Sequence, residues 1–236
     1  MAKGPRGLVE KREAAEKRKL YSRVLIVCEG MKTEPLYLSD LRDELKAPTI
    51  NCEVVGEGRD PSAVVKRAVE HAESPDGDYD YVFCVFDRDK HEHYADACER
   101  CRNVEVKRRG GTATKLVAIT TNPSFEYWLL LHLDPTTKPY RQAGNRTSGD
   151  QAFADFSKAY LKETGVRYAK GTKGVYGALK PKLEAAIKFA DRENREGISN
   201  PHSLVGALIT ILRNIAAGKD PDIKAIQNIP RANEAA

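Results

Sequence analysis

The strongest strand signal in the chain is the run Asp80-Tyr-Val-Phe-Cys-Val-Phe-Asp87. Its β-branched and aromatic residues are continuous and do not alternate with polar ones, which is typical of a strand covered on both faces. A turn-rich segment at 74–78 precedes the run, and a helical pattern over 91–101 follows it. This arrangement indicates a central strand of a parallel sheet.

Strand and helix patterns alternate on both sides of this run. Further strands are predicted at 23–29, 49–55 and 115–120. Helices are predicted after the successive strands, at 33–44, 61–73, 91–101 and 124–133. This order predicts an α/β fold with a parallel sheet of about four strands and helices on both faces, and it places ligand chemistry at the carboxyl ends of the strands.

The chain divides into three predicted parts. Residues 1–20 carry alternating charges with few apolar anchors, which predicts a basic helix or arm. Residues 21–134 form the predicted α/β core, and residues 135–236 form a helical extension packed on it. The extension shows helical periodicity over 150–163, 175–196 and 203–217.

Composition favours a cytoplasmic protein without membrane association. No apolar run approaches the roughly 20 residues that a membrane span needs, and the first twenty residues contain no apolar stretch typical of a secretory signal. The five cysteines are an odd number, which suits a reducing compartment. The Cys98-x-x-Cys101 spacing has no second ligand pair with the spacing of a zinc site, so we expect no zinc there.

Basic residues are clustered, although the net charge is only +5. The clusters lie at 11–19, 107–109 and 170–182. Clustered positive charge favours a polyanionic partner, which here means nucleic acid. Each cluster taken alone also fits an ordinary solvated face.

Three acidic residues follow two of the predicted strands. Glu29 ends the first strand, and Asp87 and Asp89 end the third. Residues i and i+2 of an extended segment point to the same side, so the two aspartates can face one cation. Taken singly, each acid also fits a helix cap or a solvated loop. Together they would repel one another without a cation, so the sequence favours a site for Mg²⁺, with Mn²⁺ as the alternative metal.

Further candidates lie close to these strand ends in sequence. Thr33 is a candidate N-cap, and Glu34 falls in the first helical turn, where a helix-start role and metal binding are equal alternatives. Glu126 and His132 follow the fourth strand and fit either the site or a core or capping role. The candidate catalytic residues are Glu29, Asp87, Asp89, Glu34 and Glu126.

Basic side chains near these positions are candidate contacts for nucleic-acid phosphates. They are Lys32, Arg88, Lys170 and Lys173. His91 and His93 follow the acidic pair and fit either a proton shuttle or the start of a surface helix.

The motifs resemble those of known proteins. Glu29-Gly30 after an apolar strand, with a later strand ending in Asp87-x-Asp89, resembles the Toprim pattern of topoisomerases, primases and several nucleases. More narrowly, five segments resemble the RloB-like family, and the resemblance covers nearly the whole chain after residue 21. The segments are CEGMKTEPLYL (28–38), FDRDKH (86–91), TNPSFEYWLLLH (121–132), YAK (168–170) and SNPHSLV (199–205).

This resemblance implies a Toprim nuclease-like protein of prokaryotic antiphage defence, such as abortive infection, often encoded beside an ATPase partner. It implies that Glu29 is the general acid/base and that Asp87 and Asp89 are metal ligands. The chain has no Walker A sequence, so any ATP hydrolysis is expected from the partner.

The resemblance and the acidic residues leave three functional classes open. Hydrolysis of nucleic-acid phosphodiesters is the reading that needs the fewest additional parts, because we expect neither the tyrosine gate domain of a topoisomerase nor the apparatus of a primase. DNA and RNA demand the same metal chemistry. The alternatives are nucleotidyl or phosphoryl transfer on a small nucleotide, and a non-catalytic subunit of a defence complex that binds nucleic acid or docks a partner.

Overall fold

Parallel strands form the centre of the sheet. The structure is a computed structural model, and it describes residues 22–46, 50–54, 60–88, 92–108 and 113–227. In chain order the strands are β1 (Val24–Cys28), β2 (Ile50–Val54), β3 (Tyr81–Asp87), β4 (Val106–Lys107), β5 (Ala113–Asn122) and β6 (His202–Ser203). Strands β2, β1, β3 and β5 lie side by side in that order and are mutually parallel. The predicted α/β fold with a Toprim or Rossmann-like sheet is confirmed.

Two short strands were not predicted from the sequence, and they make the sheet mixed. Strand β4 pairs antiparallel with the start of β5, and β6 pairs antiparallel with its end, where Ser203 lies opposite Thr121. Each has only two residues, which is too short to produce a recognisable periodicity. Strand β6 covers the outer edge of β5 close to the carboxyl edge of the sheet.

A helix follows each parallel strand, as predicted, and further helices lie toward the C-terminus. In chain order the helices are α1 (Thr33–Leu45), α2 (Pro61–Glu73), α3 (Tyr94–Asn103), α4 (Phe125–Leu130), α5 (Ser148–Thr164), α6 (Val175–Leu179), α7 (Leu183–Arg195), α8 (Val205–Ala216) and α9 (Lys224–Gln227). The predicted helical periodicity over 175–196 corresponds to two helices, because a 3-10 turn at Lys180–Lys182 separates α6 from α7. Pro181 lies in that turn, and proline has no backbone N–H to continue an α-helix.

Two apolar layers cover the two faces of the sheet. Side chains of β1 alternate between them, so that Ile26 packs with α1 and the helices α4 to α8, whereas Val27 packs with α2 and α3. Every residue of β1 is buried, as its continuous apolar run predicts. The first layer extends without a break into the C-terminal helices and includes Trp128 and Leu208.

The three predicted parts of the chain stay a prediction. Residues 1–20 lie outside the described residues, and the boundary at residue 134 is not tested. In the described part of the chain, no helix is both long enough and apolar enough to span a membrane.

Candidate active site

Glu29 and Asp87 meet at the carboxyl edge of the sheet. Strands β1 and β3 are hydrogen-bonded neighbours with Cys28 opposite Val85, so Glu29 follows β1 close to where β3 ends at Asp87. The Glu29 backbone N–H donates to the Val85 carbonyl at 2.9 Å, and the Asp87 backbone N–H donates to Oε2 of Glu29 at 3.0 Å. The second bond holds the Glu29 carboxylate beside Asp87. Asp89, the third predicted ligand, lies outside the described residues.

The Asp87 carboxylate also faces the start of α4. It accepts a hydrogen bond from the Phe125 backbone N–H, which lowers its pKa. Burial has the larger, opposite effect, and the negative charges of Glu34, Glu29 and Glu126 add to it. The pKa of Asp87 is therefore held well above its usual value, and the three glutamates are near enough to contribute to that rise.

Glu34 joins this cluster from the first turn of α1. Its carboxylate lies directly over Gly30, where an added Cβ would be 2.1 Å from Oε2. The pKa of Glu34 is raised to about 7, mainly by burial and further by the charge of Glu126, while a hydrogen bond from its own backbone N–H opposes the rise. Glu34 therefore lies both in the first turn of the helix and close to the other acids, and metal binding by it stays a prediction. The helix begins after Lys32, so Thr33 is its first residue and not its N-cap.

Glu126 approaches the cluster from α4. Its side chain is only 2% exposed, yet polar groups surround it. Ser124 donates to Oε2 at 2.9 Å, and the Tyr168 hydroxyl donates to Oε1 at 3.2 Å. The Lys170 ammonium lies 3.9 Å from Oε1. Glu126 thus belongs to the polar site and not to the apolar core.

The acidic cluster defined by Glu29, Glu34, Asp87 and Glu126 has donors suited to a divalent cation. Among the described residues, no three His, Cys, Asp or Glu side chains are placed to ligate one ion. Mg²⁺ does not need such a set, because it usually takes one or two protein carboxylates and keeps several waters. Carboxylate oxygens are the donors that Mg²⁺ and Mn²⁺ prefer, and a cation would relieve the repulsion that raises the pKa of Asp87. The residues present therefore fit such an ion.

Of the four predicted phosphate contacts, Lys170 lies at this cluster and Lys32 lies close to it in sequence. Lys170 is beside Glu126, and the stem of Lys32 packs against Gly171, where an added Cβ would be 3.1 Å from Cδ of the lysine. The Arg88 guanidinium stacks on the Tyr94 ring at 5.5 Å. Lys173 is exposed in the turn that precedes α6.

Part of the basic cluster at 170–182 is neutralised by acidic neighbours. Lys180 pairs with Glu44 at 2.9 Å, and Lys182 pairs with Glu163 at 2.7 Å. The positive charge available to a polyanion is therefore smaller than the sequence suggests.

The histidines have different surroundings. His132 is buried, its Nδ1 lies 3.1 Å from the Trp128 carbonyl oxygen, and its ring packs edge-on against the Trp128 indole. Burial lowers the pKa of His132 to about 4, so it is a neutral core residue. His93 is exposed, and His91 lies outside the described residues.

Two residues that contact the cluster were not among those predicted from the sequence to belong to the site. Ser124 and Tyr168 both donate to Glu126, and Tyr168 does so across a separation of 42 residues. The available signal was the YAK segment at 168–170, which stood out as a motif but lies in the helical extension, where a solvated surface is the ordinary expectation.

Comparison with protein families gives a match, whereas comparison with individual proteins does not. No curated protein and no solved structure matches the chain. The family model described as RloB-like protein matches residues 24–212, which run from β1 into α8 and include all four members of the acidic cluster. The chain therefore belongs to the RloB-like family.

Proposed function

We propose that this chain is a Mg²⁺-dependent nuclease that hydrolyses phosphodiester bonds of nucleic acids, with Mn²⁺ able to replace Mg²⁺. The observation that carries the proposal is the meeting of four acidic side chains at the carboxyl edge of the sheet, with the pKa of Asp87 well above its usual value. Burying acids together costs stability, so a purely structural role does not explain them. A bound divalent cation would offset the repulsion between them.

In this proposal Asp87 and Asp89 hold the cation, which when bound polarises the phosphodiester and stabilises charge on the leaving oxygen. The Asp87 N–H keeps the Glu29 carboxylate at the site, where it serves as general acid/base. The pKa of Glu34, about 7, suits a group that accepts a proton from attacking water or returns one to the leaving oxygen near neutral pH. Glu126 supplies a further carboxylate beside it.

The substrate in this proposal is DNA or RNA. Its phosphates contact Lys170, which lies beside Glu126, and Lys32, with Arg88 and Lys173 as further contacts. Family membership supports a role in prokaryotic antiphage defence or abortive infection, in the cytoplasm and with an ATPase partner encoded nearby.

A non-catalytic subunit that binds nucleic acid or docks a partner is the second candidate. It is favoured by the lack of three side chains placed to ligate one ion within the described ranges. The two candidates differ in one measurable property, because only the first requires Asp87 for bond cleavage.

The test compares wild type, Asp87→Asn and the control Asp96→Asn, whose side chain is 78% exposed on α3. Labelled DNA and RNA oligonucleotides, and separately nucleoside triphosphates, are incubated with Mg²⁺, Mn²⁺ or a chelator. We expect metal-dependent cleavage of an oligonucleotide that falls at least about 100-fold in Asp87→Asn, with unchanged oligonucleotide affinity. Unchanged cleavage in Asp87→Asn, or cleavage in the presence of chelator, would reject the proposal, and product formed only from triphosphates would favour nucleotidyl transfer.

A further inference from the structure

Tyr168 reaches the acidic cluster from the helical part of the chain. Its hydroxyl donates to Oε1 of Glu126 at 3.2 Å and lies 3.1 Å from Oγ1 of Thr33. Because the single hydroxyl hydrogen of Tyr168 is used on Glu126, the Thr33 hydroxyl donates to the tyrosine oxygen. A hydrogen-bonded chain therefore runs from Thr33 on α1, through Tyr168, to Glu126 on α4.

The Tyr168 ring is held in place by α5. Its centroid lies 4.6 Å from that of Phe156, 5.5 Å from that of Phe153 and 6.0 Å from that of Tyr160. The residue is 7% exposed. These contacts with the helix and the burial of the ring restrain the whole side chain, so the position of the hydroxyl is set by packing and not by solvent.

Both oxygens of the Glu126 carboxylate have fixed hydrogen-bond donors. Ser124 donates to Oε2, and Tyr168 donates to Oε1. Lys170 also lies near Oε1, but its side chain is 66% exposed and at 3.9 Å it restrains the carboxylate less than the buried tyrosine does. Carboxylates that act at metal or catalytic sites are commonly oriented by outer hydrogen bonds of this kind.

We propose that Tyr168 is a positioning residue that orients the Glu126 carboxylate toward Asp87 and Glu34. This inference rests on the nuclease function proposed above. The packing of α5 would then affect active-site geometry, because α5 packs against the Tyr168 ring and the Tyr168 hydroxyl donates to Glu126. Removing that hydroxyl leaves the aromatic packing in place and releases Oε1.

The experiment uses the full chain with Tyr168→Phe and the matched control Tyr160→Phe, which removes a hydroxyl from a neighbouring ring of the same aromatic cluster. Three quantities are measured: cleavage rate as a function of Mg²⁺ concentration, binding of Mn²⁺ alone by electron paramagnetic resonance, and thermal unfolding. We expect Tyr168→Phe to lower the maximal rate or the metal affinity by about 10- to 100-fold, with an unfolding temperature close to that of Tyr160→Phe.

A double-mutant cycle with Glu126→Gln separates positioning from general damage. If Tyr168 acts through Glu126, the effect of Tyr168→Phe should shrink to less than about 3-fold in the Glu126→Gln background. An active wild type with an equally active Tyr168→Phe, an equal loss in Tyr160→Phe, or an undiminished loss in the Glu126→Gln background overturns the positioning role alone. A wild type that neither cleaves nor binds Mn²⁺ overturns the proposed function, and this inference with it.

Discussion

Gly30 occupies a position where the candidate active site has no room for a side chain. An added Cβ would lie 2.1 Å from Oε2, 2.4 Å from Oε1 and 2.5 Å from Cδ of Glu34. Non-bonded carbon contacts are comfortable only at about 3.5 Å and beyond, so in Gly30→Ala the Glu34 carboxylate must move by about 1 Å. The substitution therefore displaces one member of the acidic cluster without changing any of its acids.

Rate and stability should respond differently to this displacement. The displaced group is the end of a side chain and not backbone, so Gly30→Ala should lower the free energy of unfolding by only about 1 kcal/mol, at the low end for overpacking. A misplacement of about 1 Å at an active site lowers the rate by about 100-fold. We therefore expect a loss of cleavage far larger than the loss of stability explains.

The assay pairs metal-dependent cleavage with urea unfolding and uses Gly177→Ala as its control. Gly177 lies in α6, where an added Cβ meets no atom within 4 Å, so this variant should keep its rate and gain about 0.5–1 kcal/mol in unfolding free energy. In a Glu34→Ala background, Gly30→Ala should cause little further loss because the displaced group is gone. A Gly30→Ala rate close to wild type, or an undiminished loss beside Glu34→Ala, would refute the steric argument.

Three further predictions concern pH, substrate affinity and stability. Without divalent metal, the free energy of unfolding should fall by roughly 2–3 kcal/mol from pH 5 to pH 8, because the folded state keeps a proton on Glu34 up to its pKa of about 7 while the unfolded state releases it near 4.5. Urea titrations should show that the unfolding free energy of Glu34→Gln depends less on pH. A wild-type unfolding free energy that does not change with pH contradicts this prediction. Lys170→Ala should weaken oligonucleotide binding and reduce the slope of log affinity against log salt concentration by about 1. Lys180→Ala should not, because the Lys180 ammonium pairs with Glu44. Equal salt slopes in the two variants contradict a phosphate contact by Lys170. Arg108→Ala removes hydrogen bonds to Asp78 and Asp80 at the opposite end of β3, so it should lower the free energy of unfolding by about 1–3 kcal/mol. The cleavage rate per folded molecule should not change. A loss of cleavage without a loss of stability would contradict the location of the site.

The sheet could be predicted from local sequence. A strand covered on both faces needs an apolar side chain at nearly every position, and Val24–Cys28 and Tyr81–Asp87 show this directly. The ends of those strands could also be predicted from the sequence. The proximity of Glu29 and Asp87 followed from them once the two strands were taken as parallel neighbours. The two-residue strands β4 and β6 carry no comparable signal, because two residues are too few to show a periodicity.

The sequence by itself determined the α/β fold class and the presence of acids at the strand ends, because both follow from short local runs of residues. Tertiary structure alone decided which helical side chains join them. Glu126 and His132 both follow β5, yet the first lies in the polar site and the second in the core beside Trp128. The direction of a helical side chain depends on how its helix packs, and the bond from Tyr168 to Glu126 exists only because α5 holds a ring against α4 from elsewhere in the chain.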